Sequence, residues 1–187
     1  SVDKPNLNSF HTRRYSEQVK DLSINYQKVS LSSEELTYCY YAEDIDKCKI
    51  LRIFVPKEKK WRSNIPGDYL WFKDKIKDCD NLLVQKSVKD ALITLSLGIC
   101  STAIQSENVS CIEQNKEFLD EFKPNIYVSM GVDKQGFSIS KECTDRFGYK
   151  WYNIPNKYLE MEINDCAELY KYNRILLINH LKKKKLL

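Results

Sequence analysis

Glycine is scarce in this sequence, with only five among 187 residues. Loops that cradle phosphate groups need closely spaced glycines, because their backbone takes conformations that other residues rarely adopt. Neither a P-loop nor a GxGxxG segment is present, and the sequence also has no HExxH and no GxSxG. These absences exclude the common nucleotide-binding loops and the hydrolase families that carry such motifs.

Histidine is scarcer still, with His11 and His180 alone. Two histidines can act as general acid and base, and a Cys–His couple can generate a nucleophile. Neither histidine lies in a recognisable catalytic motif. The sequence therefore favours a protein without catalytic activity, although it does not exclude an enzyme, and it predicts no cofactor and no metal site.

Long apolar runs are missing too. The longest, 91–100 and 174–181, fall short of the ~20 apolar residues that a helix needs to cross a bilayer. We therefore expect no membrane span in this chain.

An excess of positive charge is nearly absent, with 30 Lys and Arg against 26 Asp and Glu. Dedicated nucleic-acid-binding domains concentrate more basic charge. On this ground we do not expect nucleic acid as a partner.

Cysteine, in contrast, is abundant, with seven residues and no CxxC pair. Without that spacing, neither a zinc site nor a thioredoxin-type redox site is indicated. Disulfides in an oxidising compartment and buried thiols in a reducing one are the remaining interpretations. The start at Ser1 without an initiator Met and the N-glycosylation sequon at Asn108 favour the first. We predict a secreted or cell-surface glycoprotein with its signal peptide removed, and an organellar location as the alternative.

The positions of the cysteines indicate two bridges. Cys39 and Cys48 fall near the turn of a predicted hairpin, and Cys100 and Cys111 flank a polar loop between two predicted helices. The sequence does not assign the other three, of which two would pair and one would stay free: Cys79, Cys143 and Cys166.

The residue patterns predict an α+β fold, with antiparallel hairpins packed against about four to five helices and stabilised by disulfides. Segments 37–41 and 48–55 predict one hairpin, and the alternation in 126–132, resumed at Phe137 and Ile139, predicts another. Helical spacing or helix-start signals occur in 16–29, 66–77, 87–99, 110–122 and 157–181. We expect one domain over 1–187, with an extended lead-in over about 1–12 and a flexible basic tail over 182–187.

The candidate binding surface is an aromatic side chain ringed by basic ones. Trp61 stands among Lys57, Lys59, Lys60 and Arg62 in a predicted exposed loop. Such a group can bind another protein, a glycan or an anionic surface, although Trp61 can equally lie flat beneath its lysines.

The leading functional hypothesis is a disulfide-stabilised binding protein without catalytic activity. A structural subunit of a large intracellular or organellar assembly is the alternative, because such subunits are often basic, rich in aromatics and free of motifs. A hydrolase with an unrecognised site is the third.

Overall fold

The structure, a computed structural model, describes two parts of the chain. Before residue 64 it describes the backbone of strands within 11–14, 21–24, 27–30, 36–45, 48–55 and 60–63. From residue 67 it describes backbone and side chains, except residues 77, 78 and 106 and the side chain of Asp74. The chain divides into two compact units, one of Asn8–Pro66 and one that contains Gly67–Leu187. The single domain over 1–187 stays a prediction.

The described residues of the Asn8–Pro66 unit form two antiparallel sheets. Strands β1 (His11–Arg14), β2 (Asp21–Ile24), β3 (Gln27–Ser30), β4 (Leu36–Ile45), β5 (Cys48–Val55) and β6 (Lys60–Ser63) make them up. One sheet has the order β1-β4-β5-β6, and β2 pairs with β3 in the other. The predicted hairpin of β4 and β5 is confirmed, with Tyr38 opposite Phe54. The predicted helix in 16–29 is wrong, because Leu22 and Val29 face each other across the β2–β3 ladder.

A five-stranded sheet forms the centre of the Gly67–Leu187 unit. Its strands are β7 (Leu70–Trp71), β8 (Leu82–Gln85), β9 (Ser101–Ile104), β10 (Ile126–Ser129) and β11 (Lys150–Trp151). Their order is β11-β10-β8-β9-β7, and neighbouring strands are parallel except β7, which is antiparallel to β9. The predicted mixture of helices and strands is confirmed, but this sheet is mainly parallel.

Helices cover both faces of the sheet. They are α1 (Val88–Ser96), α2 (Val109–Gln114), α3 (Lys116–Asp120), α4 (Lys134–Phe147), α5 (Cys166–Tyr172) and α6 (Arg174–Lys183). Apolar residues of α2, α3 and α4 pack with Leu82, Val84 and Val128 in one core cluster. Those of α1, α5 and α6 pack with Leu83 in another. Successive residues of β8 thus point to opposite faces, and both faces are buried, as is usual for parallel strands.

Local sequence signals predicted some helix boundaries correctly and others incorrectly. The predicted helix in 87–99 is confirmed as α1, and the side chain of Ser87 caps it by accepting a hydrogen bond from the N–H of Asp90. The N-cap of α2 is Asn108, two residues before the start of the predicted helix in 110–122. Residues 66–77 contain β7 and a 3₁₀ turn, Lys73–Lys75, in place of the predicted helix start.

The second predicted hairpin is half right. β10 is the strand that the alternation from Ile126 predicts, but Phe137 and Ile139 belong to helix α4. The predicted helix in 157–181 is divided into a 3₁₀ segment, Asn156–Met161, followed by α5 and α6. In the predicted flexible tail, Lys182 and Lys183 are helical and Leu186 is buried in the core.

One disulfide, Cys79–Cys100, is present in the described residues. The predicted partner of Cys100 was Cys111, which is instead a buried free thiol, as are Cys143 and Cys166. The side chains of Cys39 and Cys48 lie outside the described residues. The strand register sets them opposite Ile53 and Ile45, and so not opposite each other. No helix in the described part of the chain is long and apolar enough to span a membrane.

Candidate functional site

The topology of the sheet points to one edge of it. β8 is followed by its neighbour β9 on one side, whereas the later strands β10 and β11 lie on the other side. The chain therefore reverses its direction of winding between β8 and β10. In open parallel sheets, ligands bind outside the carboxyl ends of the strands at such a switch point. We call the region beyond the carboxyl ends of β8 and β10 the switch crevice.

Lys86 lies across this crevice. It follows β8 directly, and its Nζ is 3.4 Å from Oδ2 of Asp133, the residue that precedes α4. Only 14% of the Lys86 side chain is exposed. The ion pair therefore joins the carboxyl end of β8 to the N-terminus of α4, over the point where a ligand would be expected.

Two glycines allow this close arrangement. Gly131 has φ +87°, and a Cβ on it would lie 2.7 Å from Nζ of Lys86, so the lysine packs against a bare backbone. A Cβ on Gly136 would lie 1.9 Å from the carbonyl oxygen of Met130. The first turn of α4 thus touches the end of β10, and only glycine fits at that contact.

The charges in the switch crevice are satisfied internally. Burial disfavours the charged ammonium, but Glu107, Asp133 and Asp165 outweigh it and raise the pKa of Lys86. The N–H of Gly136 donates to Oδ1 of Asp133 (2.8 Å), and this bond, with the charge of Lys86, lowers the pKa of Asp133. Both groups are therefore ionised at neutral pH.

A second carboxyl group is buried beside the crevice. Asp90, in the first turn of α1, is 2% exposed and accepts hydrogen bonds from Ser87 Oγ (2.5 Å) and the N–H of Ala167 (2.8 Å). Burial and the nearby charge of Asp165 raise the pKa of Asp90 to about 7. This carboxyl joins α1 to the start of α5, and it is enclosed rather than directed at a ligand.

The described residues contain no group of three His, Cys, Asp or Glu side chains that could hold a metal ion. A divalent cation in the switch crevice would also meet the ammonium of Lys86.

Burial raises the pKa of the three free thiols described, Cys111, Cys143 and Cys166, which leaves them protonated and unreactive. The arrangement is therefore a closed ionic contact between a strand and a helix.

Comparison with solved structures identifies the architecture. A chain in the structure of bacteriophage T7 lagging-strand DNA polymerase, interacting with primase domains of two gp4 subunits bound to an RNA/DNA hybrid and dTTP, matches with TM-score 0.63. The identity is 13%, and the match covers 82% of this chain and 80% of that one. This chain has a primase-like fold.

A second structure supports that conclusion. The primase fragment of the bacteriophage T7 primase-helicase protein matches with TM-score 0.59 and 11% identity. The match covers 82% of this chain and 65% of the fragment, just under two thirds of its length. No protein-family model and no curated protein matches the sequence.

The primase-like fold corrects several predictions. A secreted or cell-surface binding protein is the wrong interpretation, because the similar structures are those of primase domains. The predicted location and the glycoprotein assignment are contradicted with it. The exclusion of nucleic acid as a partner is contradicted as well, since the primase domains in the similar structure are bound to an RNA/DNA hybrid. Weak net charge was a poor guide, because it does not show where charge is concentrated.

The predicted binding residues belong to the Asn8–Pro66 unit. Lys60, Trp61 and Arg62 belong to β6, which pairs with β5 at the edge of its sheet, and their side chains lie outside the described residues. Lys57 and Lys59 lie outside them altogether. These five residues remain a prediction.

The other candidates have structural roles where they are described. The side chain of Asn108, the sequon residue, accepts a hydrogen bond from the N–H of Ser110 (2.7 Å) at the start of α2. His180 lies with Nε2 3.0 Å from the carbonyl oxygen of Asn153, and burial lowers its pKa. No described carboxylate forms an ion pair with His180, and the hydrolase hypothesis stays a prediction. The side chain of His11 lies outside the described residues.

Sequence reasoning missed the switch crevice entirely. Lys86 and Asp133 are 47 residues apart and meet only because β8 and β10 are neighbours. One local signal could have pointed to it: Gly131 and Gly136 bracket Asp133 directly after a strand, and this pattern is typical of a tight strand-to-helix turn.

Replacement of Lys86 tests the ion pair. We expect Lys86→Met to retain the contacts of the alkyl chain but to lower the unfolding free energy by about 1–2 kcal/mol, because Asp133 loses its ion-pair partner and Glu107 and Asp165 lose a nearby positive charge. Urea unfolding at neutral pH measures it. Lys89→Met is the matched control: Lys89 is also 3.4 Å from its partner, Asp165, but 43% exposed, so its loss should cost less than about 0.5 kcal/mol. Equal effects would contradict a special role for Lys86.

Proposed function

We propose that this chain is a non-catalytic, nucleic-acid-binding component of a larger assembly that processes nucleic acid. The observation that carries the proposal is the Lys86–Asp133 ion pair in the switch crevice. The ammonium of Lys86 occupies the place where a sheet of this topology usually binds its ligand.

The chemistry of phosphoryl transfer supports the non-catalytic part. Enzymes that transfer phosphoryl or nucleotidyl groups hold Mg²⁺ with carboxylates, so that the metal neutralises developing charge. In the switch crevice Asp133 already has a cationic partner, and Asp90 is enclosed between α1 and α5. A metal ion that bound Asp133 would have to displace the ammonium of Lys86, and the two positive charges would repel each other.

The likeness to primase domains supports the nucleic-acid part. It also favours the assembly-subunit hypothesis over the secreted one, because the similar structure joins primase domains to a DNA polymerase. An intracellular or organellar location belongs to the same proposal.

Two measurements on the full chain test the proposal. Fluorescence anisotropy should show binding to labelled single-stranded DNA or RNA of about 20 nucleotides, weakening as salt rises from about 50 to 200 mM. Ribonucleotide incorporation on a single-stranded template, with Mg²⁺ or Mn²⁺, should stay at the level of a no-protein blank. If the chain binds neither the DNA nor the RNA oligonucleotide, the nucleic-acid role is rejected. Template-dependent incorporation would reject the non-catalytic role and favour primase activity.

A further inference from the structure

A second feature of the Gly67–Leu187 unit lies beside the switch crevice. A cavity of about 340 Å³ opens at the carboxyl ends of β10 and β11, close to the lower end of the ~300–1,000 Å³ range of ligand sites. We call it the aromatic pocket, after the two rings, Phe137 and Trp151, in its wall. The other lining residues include Asn156, Leu159 and Lys184.

The aromatic pocket exposes large apolar groups that a folded protein usually covers. Phe137 is 48% exposed, Trp151 36% and Leu159 37%. The rings of Phe137 and Trp151 contact each other edge to face, with centroids 4.5 Å apart. A contiguous, exposed aromatic surface of this kind indicates a binding site rather than part of the core.

The polar residues of the pocket indicate what it binds. Asn156 provides an amide group that both donates and accepts hydrogen bonds, and Lys184 provides a positive charge at the rim. Among the described residues that line the pocket, none is Asp or Glu. Lys184 also belongs to a run of four lysines, 182–185, all of them exposed. An aromatic wall with cationic charge on one side is complementary to a planar base attached to a phosphate.

We propose that the aromatic pocket stacks one base of a single-stranded nucleic acid on Trp151, while Lys184 and the adjacent lysines hold the flanking phosphates. This inference deepens the proposed function and depends on it. It locates the contact beside the Lys86–Asp133 ion pair rather than at it, so that nucleic acid can bind although Lys86 closes the crevice.

Abasic nucleic acid separates stacking from charge. We compare a labelled thymidine oligonucleotide with an abasic one of equal length, which keeps every phosphate but has no base. We expect the full chain to bind the thymidine strand about tenfold more tightly, since each stacked base contributes on this scale. Trp151→Ala should bind the two strands with nearly equal affinity. Tyr172→Ala is the matched control: Tyr172 is an aromatic residue, 54% exposed on α5 and outside the pocket, and its loss should leave the tenfold preference intact.

Two more variants keep the proposal testable if Trp151→Ala does not fold. Phe137→Ala removes the other ring and should also reduce the base preference. Lys184→Gln should lower the affinity for both oligonucleotides without altering the base preference. The slope of log affinity against log salt concentration should fall by about one, as expected for the loss of one phosphate contact. Lys171→Gln, at another exposed lysine, should do neither.

The outcomes keep this inference apart from the proposed function. If the chain binds both strands equally, or if Trp151→Ala keeps the preference for bases, the aromatic pocket belongs to another occupant, such as a protein segment, and the inference fails while the proposed function stands. If the chain binds neither strand, the proposed function fails as well.

Discussion

Gly136→Ala should prevent the Gly67–Leu187 unit from folding stably, with a loss of several kcal/mol of unfolding free energy. The added Cβ would lie 1.9 Å from the Met130 carbonyl oxygen and 2.9 Å from that of Gly131. Both are backbone atoms at the end of β10, so no side-chain rotation can relieve the clash. α4 would have to move away from the sheet, which would expose Ile139 and Cys143 and break the ion pair of Asp133.

Other glycines provide the controls for Gly136→Ala. Gly148, which follows α4, has φ +73°, and a Cβ on it would have no other atom within 4 Å, so Gly148→Ala should cost only the left-handed strain of about 1–2 kcal/mol. Gly67→Ala has neither a positive φ nor a clash and should be nearly neutral. Urea and thermal unfolding compare the three. A Gly136→Ala protein as stable as the Gly148→Ala protein would show that α4 does not touch the end of β10.

Asp90→Asn should remove a strong pH dependence of stability. The pKa of Asp90 rises from 3.8 to about 7 in the folded chain. Between those values the unfolded carboxyl is ionised while the folded one holds its proton, so the wild-type chain loses stability as pH rises from about 4 to about 7. Above pH 7 the penalty is constant. A shift of this size corresponds to about 4 kcal/mol at most. Asparagine does not titrate, yet it keeps an oxygen for the N–H of Ala167.

Unfolding free energies at several pH values between 4 and 7.5 check this prediction. The difference between Asp90→Asn and wild type should grow in favour of the variant across that range. Asp120→Asn is the control: burial opposes ionisation of Asp120, but hydrogen bonds from Lys116 and Tyr149 outweigh it and hold the pKa at about 2. Both states of Asp120 are ionised throughout most of this range, so its difference from wild type should stay nearly flat. Parallel profiles for the Asp90 variant and wild type would disprove the raised pKa.

The sequence predicted elements whose signals are local. Ser87 before the apolar stripe of α1 marks a helix start, and alternation from Ile126 marks a strand. It failed for strands buried on both faces, because Leu82, Leu83 and Val84 form a short apolar run with no alternation. It failed again at Phe137, where two residues of continued alternation outweighed the four-residue spacing of Ile139, Cys143 and Phe147 that defines α4.

The candidate sites depend on strand order, which no local pattern contains. Lys86 meets Asp133 because β10 pairs with β8 across a crossover, and Trp151 meets Phe137 because β11 follows α4 back to the sheet. The cysteine count led to a wrong prediction of the compartment. It favoured an oxidising compartment, yet three of the five cysteines described are buried apolar side chains and one disulfide joins the others.

The central position of β8 has a consequence for the chain while it is being synthesised. Leu83 pairs with Ser101 on one side, but on the other side Leu82 pairs with Ile126, which emerges from the ribosome 44 residues later. Until then one border of β8 has open hydrogen-bonding groups and an apolar surface. A nascent or truncated chain that stops before Ile126 therefore offers a ready template for self-association, and chaperones would be needed most during that interval.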